Sequence, residues 1–421
     1  MNILNKAYSC WSKLAGLRRR RDRCKRFTYG DQWSDRVRSR GRWESEAEYI
    51  ERSGKHPYTN NLIRQLVKTV VGRYRREAAE VGAYKGDIAD TAARNSLAEL
   101  DARTLEEVLI SGCAIQRVVD ERRWGGEGVW VDSVDPRRFF VNAFRDPRGW
   151  DIDLIGMLHS MTLPELVNRF AGGDRGRAAE LARIYGSIDD EPALGGSQVP
   201  GSFFVSEEDG KCRVIEVWTF DSRLLDDSAD SAFCWHCRWY APDGSLLSEY
   251  DSPYAHGGHP FAVKFYPLTD GEVHSFVEDV LDQQKFINRL IVTLDHMMAC
   301  SAKGVLLFPI NQLPNGISLE QITDAWAQPD GVIPITDLAD HLPQQVNASN
   351  SNSDGYRLLQ MQMQLFEQIS GVGGALMGRS TNARGAEMLD AEVRNGTLAL
   401  ADLFESFAAF TAARNALALR A

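Results

Sequence analysis

The sequence predicts an α+β fold, with helices and strands segregated along the chain rather than strictly alternating. Three observations predict it. Ser275–Lys303 (SFVEDVLDQQKFINRLIVTLDHMMACSAK) is the longest uninterrupted helical pattern. Short strand patterns gather in two clusters, one over 114–160 and one over 202–267, the second directly before that helix. Both ends of the chain read as helical.

In the long helix, Ser275 followed by Glu278 forms a capping box, the hydroxyl taking an orphan amide and the carboxylate reaching back. Val277, Val280, Leu281, Ile287, Ile291, Leu294 and Met298 form an apolar stripe. Asp279, Asp282, Gln283, Lys285 and Arg289 make the first half polar, and Gly304 suits a left-handed stop. At ~1.5 Å per residue the helix spans about 40 Å. A polar first half and an apolar second half predict one end in solvent or against a partner and the other buried. An ordinary core helix fits the same pattern.

From the start, residues 3–17 mix apolar and basic or polar positions and run into Arg18-Arg19-Arg20-Arg21-Asp22-Arg23-Cys24-Lys25-Arg26. That run reads either as a basic helix on nucleic acid or a neighbouring subunit, or as a solvated charged helix. Phe27-Thr28-Tyr29-Gly30-Asp31-Gln32-Trp33 is a Gly-Asp turn flanked by aromatics. Thr59, Asn60 or Asn61 caps a helix with Leu62, Leu66, Val67, Val70 and Val71 on one stripe, expected to end at Gly72–Arg76. A second amphipathic region covers Asp87–Ile110. Strands follow at 114–119, 128–134, 139–142 and 152–160, with Asp135-Pro136-Arg137-Arg138 as a turn. Thr162 caps a short helix with Pro164 in its first turn. Another helix covers Arg175–Tyr185, and residues 186–201 compose a linker. Strands are then expected at 214–220, 233–240, 246–250 and 261–266, Pro242-Asp243-Gly244 joining two of them. After the long helix come strands at 305–308 and 331–335 and a polar stretch from Asp337 to Ser353. A helix with Tyr356, Leu359, Met363 and Phe366 on one face follows, then a glycine-rich turn from Gly371 and a last helix over about 386–419.

The net charge of −10 conceals an asymmetry: residues 1–80 carry 20 Lys and Arg against 9 Asp and Glu, +11, and the remaining 28 and 49 give −21. Such a body does not grip DNA tightly, because phosphate affinity comes from cations. No apolar run approaches the ~18 residues of a membrane span. The N-terminus lacks a signal-peptide pattern, and 7 cysteines suit reduced thiols, so a cytoplasmic site of synthesis is expected.

Motifs for chemistry are few. The sequence has no Gly-x-x-x-x-Gly-Lys-Ser/Thr, His-Glu-x-x-His or Gly-x-Ser-x-Gly. Gly371, Gly373, Gly374 and Gly378 read as a helix-ending turn rather than a phosphate cradle. Cys234-Trp235-His236-Cys237, with His256 and His259 beyond the next turn, offers zinc ligands. Strand alternation instead puts Cys234 and His236 on one face and Trp235 and Cys237 on the other, which separates the thiols. Asp226, Asp227 and Asp230 either hold magnesium or lie solvated in a loop. No cofactor, metal or catalytic residue is expected.

Several stretches in this order resemble the portal proteins of tailed bacteriophages. They are Tyr29-Gly30-Asp31-Gln32-Trp33, Pro57-Tyr58-Thr59-Asn60-Asn61-Leu62-Ile63, and Asp135-Pro136-Arg137 leading to Phe140. Val280–Arg289 (VLDQQKFINR) and Ile369-Ser370-Gly371-Val372 to Gly378, with Asn382 to Ala386, complete the set. The resemblance implies a portal fold. Residues 1–160 with part of the chain after 304 correspond to a mixed α/β wing, 161–201 to short helices and a linker, and 202–270 to a small β-rich clip. Residues 271–304 correspond to the stem, 305–385 to the rest of the wing with a tunnel loop at about 337–353, and 386–421 to a crown-like helix. It also implies a structural role without enzymatic activity. The expected assembly is a homo-oligomeric ring, a dodecamer, at one capsid vertex, made in the host cytoplasm and carried in the virion. Double-stranded DNA would pass through it, and the terminase large subunit, a head–tail adaptor and the major capsid and scaffolding proteins would dock on it, with no membrane involved. The alternative is a metal-dependent nuclease or another DNA-packaging enzyme.

On that reading Gln344, Gln345, Asn347, Ser349, Asn350, Ser351 and Asn352 touch DNA without gripping it. Asp282, Gln283, Lys285 and Arg289 face a subunit interface or the channel. Arg18, Arg19, Arg20, Arg21, Arg23, Lys25 and Arg26 form a basic surface towards capsid, scaffold or DNA.

Overall fold

Helix and strand segregate in the structure for the reasons the sequence gives. The computed structural model describes residues 2–39, 41–123, 126–189, 203–221, 234–303, 305–307, 317–327, 344–346, 353–373 and 398–421. These divide into two units. The first comprises 1–32, 61–284 and 366–421, and the second comprises 33–60 and 285–365.

The first unit is built on two antiparallel sheets. Helices α1 (Ile3–Lys13) and α2 (Ala15–Thr28) open it, Asn2 capping α1 through Leu4 N–H at 3.2 Å. Helix α4 (Leu62–Val81) follows, then α5 (Ala89–Asn95) and α6 (Leu97–Ser111). Two findings differ from the sequence expectations. Helix α4 does not stop at Gly72 but runs to a left-handed Gly82, carried by Arg73–Glu77 and Arg76–Glu80 ion pairs at 2.6 and 2.8 Å. The region 87–110 is two helices, because Ser96 takes φ 49° and turns the chain between them. Glu106 and Asp101 of α6 are buried.

Strands β3 (Cys113–Arg123) and β4 (Gly126–Ser133) form a hairpin, and β10 (Phe261–Phe265) pairs with the other edge of β3. The larger sheet has the order β5 (Phe139–Val141), β6 (Leu154–Met161), β7 (Cys212–Asp221), β8 (Cys234–Tyr240) and β9 (Leu246–Asp251). Residues 212–265 therefore do not form a sheet of their own: three of their strands extend the sheet begun by β5 and β6, and the fourth joins β3. Alternation gives the large sheet two apolar faces. Leu158, Ile215 and Val217 pack on one with Leu4 and Ala7 of α1. Trp218, Cys237 and Trp239 pack on the other with Leu166 and Leu181, from helices α7 (Leu163–Phe170) and α8 (Arg175–Asp189). Both tryptophans are 1% exposed, and a fully buried side chain of this kind is worth roughly 1.5–3 kcal/mol. Gly156 in β6 is obligatory: a Cβ there would meet the Glu216 carbonyl and stand 2.5 Å from the Phe140 ring.

Helix α9 (Phe276–Lys303) begins in the first unit and supplies its second half to the other. The hydroxyl of Ser275 accepts from Glu278 N–H at 3.1 Å, as its capping role predicts. Burial does not follow the polar–apolar division: the polar first half holds most of the buried residues, and the second adds Val292 and Leu294 among those described. Val277, Val280, Leu281, Gln284, Ile287 and Asn288 of the first half are buried, whereas Met297 and Met298 of the second are 39% and 48% exposed.

The second unit contains an unanticipated hairpin, β1 (Arg36–Ser39) and β2 (Arg42–Ser45), and helix α3 (Glu46–Arg52) with a Ser45/Glu48 capping box. Its small core joins Trp33, Ile50 and Val292. Strands β11 (Val305–Leu307) and β12 (Gln344–Val346) pair, and α10 (Leu319–Ala327) also went unread in the sequence. Helix α11 (Ser353–Ser370) ends at Gly371, φ 67°, which is the helix-ending turn expected there. Helix α12 (Ala401–Ala418) belongs to the first unit. The strand expected at 331–335, the linker core at 190–202 and the loop holding Asp226, Asp227 and Asp230 lie outside the described residues.

Candidate functional site

The basic run divides by burial. Arg18 is 8% exposed, its guanidinium 3.9 Å over the Trp11 ring and donating to the Trp11 carbonyl at 2.6 Å. Burial lowers its pKa to about 10. Arg21 is 3% exposed and grips both oxygens of Glu107 at 2.9 Å, with Asp135 at 3.8 Å. These two arginines are core ties rather than surface cations, which corrects the expectation for them: they lie three apart on the inward face of α2, where Arg18 is held by Trp11 and Arg21 by carboxylates. Arg20 is half-exposed, bound to the Val273 carbonyl at 3.1 Å and to Glu278 at 3.7 Å. Arg26 reaches Asp31 at 3.8 Å. Arg19 and Lys25 are exposed, and Arg23 is partly so.

On α9, polar residues inside the apolar stripe do the anchoring. Gln284, 0% exposed, accepts from Leu62 N–H at 3.0 Å and Ile63 N–H at 3.3 Å, so it caps α4 from another helix. Asn61 caps the same helix through Arg64 N–H at 3.0 Å and donates to the Thr28 carbonyl at 3.0 Å. Asn288, 1% exposed, accepts from Asn60 N–H at 3.1 Å. Gln284 and Asn288 stand in the portal-like stretch Val280–Arg289, but no role was expected of either. The available signal was a pair of amides four apart on an otherwise apolar face.

Of the four polar residues expected at an interface or channel, Lys285 donates to Asp35 at 2.7 Å with Glu46 at 3.6 Å, and Arg289 donates to Glu46 at 2.6 Å. Both therefore tie α9 to the chain around α3. Asp282 is exposed, and Gln283 is half-buried with its Oε1 unsatisfied among the described residues. Gln344 and Gln345 lie in β12 opposite Leu307 and Leu306, so this part of the expected loop is strand. Asn347, Ser349, Asn350, Ser351 and Asn352 lie outside the described residues.

The largest buried charge cluster links the two sheets. Glu216, 0% exposed, receives Arg117 Nη2 at 3.2 Å, His159 Nε2 at 2.7 Å and Trp218 Nε1 at 2.8 Å. Burial alone would raise this carboxyl. Arg117 and His159 outweigh that and hold it at about 2. Burial keeps His159 below its ordinary value, so it serves as a neutral donor. Neither of the two depressions given below is lined by this cluster, and its role is to tie sheet to sheet.

The histidines proposed with the Cys-x-x-Cys are engaged elsewhere. His256 Nδ1 accepts from Gly258 N–H at 2.9 Å, and His259 Nδ1 accepts from Phe261 N–H at 3.2 Å. Burial lowers His259 to about 4. Cys237 is 0% exposed on the face opposite Cys234 and His236, so the two thiols are separated as alternation predicts. His236 has Cys234 Sγ at 3.4 Å on Nε2 and Asp251 at 2.6 Å on Nδ1.

Two open depressions are lined by the described residues. One is lined by Asn61, Arg64, Gln65, Lys68 and Thr69, and the other by residues of β1, α3 and α9 including Tyr49, Arg289 and Val292. Neither holds a nucleophile beside a base. No helix among the described residues is long and apolar enough to cross a membrane.

Residues 214–414, just under half of the chain, match the family model described as Phage P22-like portal protein. The match runs from β7 into α12 and contains all of α9. No curated protein matches the chain.

Proposed function

We propose that this chain is a phage portal protein of the P22-like kind, which the match over residues 214–414 supports, and that its copies close into a ring at one capsid vertex. Double-stranded DNA passes through that ring during packaging and ejection. The terminase motor, the head–tail adaptor and the capsid and scaffolding proteins are its docking partners, and twelve copies is the expected number. In packaging and ejection the protein works by shape and charge, and the passage of DNA needs no bond-making by it.

The portal-domain match carries this reading. Three features support it. Ring closure of identical copies needs a heterologous surface that returns on itself, and Phe286, Met297, Met298, Met361 and Ile369 on α9 and α11 are exposed apolar groups suited to a neighbour. DNA must slide, so an acidic body favours passage over capture. Helix α9 has the length of a stem, and the segment of 337–353 is the proposed tunnel loop. The wing, clip and crown assignments stand on the same family reading.

Electron microscopy of the purified full chain tests the proposal. Rings with a central hole are expected, and a particle that stays monomeric under every assembly condition would refute it. Asp282→Arg is the suitable stem variant, because Lys285 and Arg289 hold Asp35 and Glu46 and their reversal would also disturb the fold. Fewer closed rings from Asp282→Arg, with unchanged monomer stability, are expected if this side of α9 meets a neighbour. DNA cleavage or ATP turnover by the pure protein would favour a packaging enzyme instead.

A further inference from the structure

We propose that Cys234, His236 and Asp251 form an activated-thiol site that takes low-molecular-weight disulfides, with Cys234 as the nucleophile. The fold builds the site from alternation and register. Cys234 and His236, two apart on β8, share one face of the sheet, and Asp251 of β9 lies directly opposite His236. The thiol and the carboxylate occupy opposite nitrogens of one ring: Cys234 Sγ is 3.4 Å from Nε2, and Asp251 Oδ1 is 2.6 Å from Nδ1.

That placement decides between two chemistries. Ligands of one metal ion must converge on a common centre, and a single imidazole cannot aim both nitrogens at it. Thiol, imidazole and carboxylate in a row form a proton relay instead. Asp251 accepts the Nδ1–H, which fixes the tautomer and leaves Nε2 free to take the thiol proton. Other charges stand nearby. Glu249 is on β9, and Arg238 is two residues along β8, bound to Glu249 at 2.7 Å and to Thr219 at 2.9 Å. Asp221 sits at the register position opposite Cys234 on β7.

Access separates this thiol from Cys24, Cys113 and Cys237. Cys234 is half-buried and the Asp251 side chain is 48% exposed, whereas the His236 ring between them is shielded at 4%. Cys24, Cys113 and Cys237 are buried, and burial pushes their thiols up. In the reaction, the Cys234 thiolate attacks one sulfur of the disulfide and a new S–S bond forms as the old one breaks. The departing thiolate takes the proton from His236 Nε2. One thiol is consumed and one released, and no other oxidant is required.

The test is timed labelling of the full chain with 4,4′-dithiodipyridine, each cysteine read by peptide mapping. At about pH 6, Cys234 is expected to react roughly a hundredfold faster than the half-buried Cys10 and Cys212, the lower end of what one positioned base supplies. His236→Gln should remove that advantage at about pH 6 and leave the rate at about pH 9 nearly unchanged, because hydroxide then ionises the thiol. Asp251→Asn alters an exposed group, so it keeps the test valid should His236→Gln misfold. It should lower the rate at about pH 6 by a smaller factor. Equal rates for Cys234, Cys10 and Cys212 at about pH 6, or a Cys234 rate that neither substitution changes, would overturn the proposal.

Discussion

Arg414 and Asp101 meet with 1% and 0% of their side chains exposed, in a bidentate pair at 3.0 and 2.9 Å that also takes in Gln116. The pair holds α12 against α6 and β3. Removing one partner strands a buried charge, so Arg414→Leu is expected to cost about 3–5 kcal/mol by urea denaturation. The double variant Arg414→Leu/Asp101→Leu should recover part of that loss, because no charge is then left alone. Glu216 makes a second prediction, through pH. Its carboxyl sits at about 2 against an ordinary 4.5, so its contribution to stability is complete above pH 4.5 and is lost as pH falls towards 2. Acid titration of the wild type should show a loss of stability in that window that Glu216→Gln lacks. A variant with the same acid limb would show that other carboxylates control it. Neither pair was legible beforehand. Arg414 lies 313 positions from Asp101, and nothing local distinguishes a buried arginine from a solvated one.

Individual elements were legible where a local rule was strong. Thr162 with Glu165 caps α7 through a complete capping box, and the turn at Pro242-Asp243-Gly244 joins β8 to β9. The reading failed where a weak local rule met a stronger distant force. An exposed glycine costs a helix only about 1 kcal/mol, so Gly72 does not end α4. Gly156 and Gly112 are different, because other chain segments press on them. A Cβ at Gly112, φ 74°, would lie 2.5 Å from Val273 Cγ1 and 2.7 Å from the Tyr266 carbonyl. Gly156→Ala and Gly112→Ala are each expected to destabilise by roughly 1–3 kcal/mol or more, the range of overpacking, and Gly72→Ala to be neutral or stabilising. Thermal midpoints of the three variants give the comparison. Gln284→Leu leaves the Leu62 and Ile63 amides without their acceptor and should cost about 1–3 kcal/mol. No change would mean that water replaces the side chain there.

At the scale of the whole molecule, the N-terminal segment is both framework and surface. Leu4, Ala7, Leu17, Cys24 and Phe27 are core residues, so deleting residues 1–26 is expected to unfold the first unit rather than remove a docking patch. The cleaner experiment neutralises the exposed cations. Arg19→Gln with Lys25→Gln should leave the melting temperature unchanged and reduce incorporation into procapsids; normal incorporation would remove the proposed role of this surface. The portal-like motifs also gain a physical account. Asp31 meets Arg26, Asp135 joins Arg21 to Arg137, and Asn61 and Gln284 together cap α4. Asp31 and the Asp135–Arg137 pair fix local turns, while Asp135 with Arg21 and Gln284 with α4 tie distant segments of the chain to one another.

The long helix α9, the strands β3 to β10, the basic head on an acidic body, the split of the two thiols across β8 and the portal resemblance are all determined by the sequence alone. Each rests on neighbours in the chain or on a sum of charges, and needs no knowledge of what packs where. The tertiary structure decided which half of α9 is buried, that β7–β9 extend the sheet of β5 and β6, which arginines turn inward, and that His236 stands between Cys234 and Asp251. Those outcomes depend on segments far apart in sequence meeting, and a residue's own neighbours carry no information about the partner that will desolvate it.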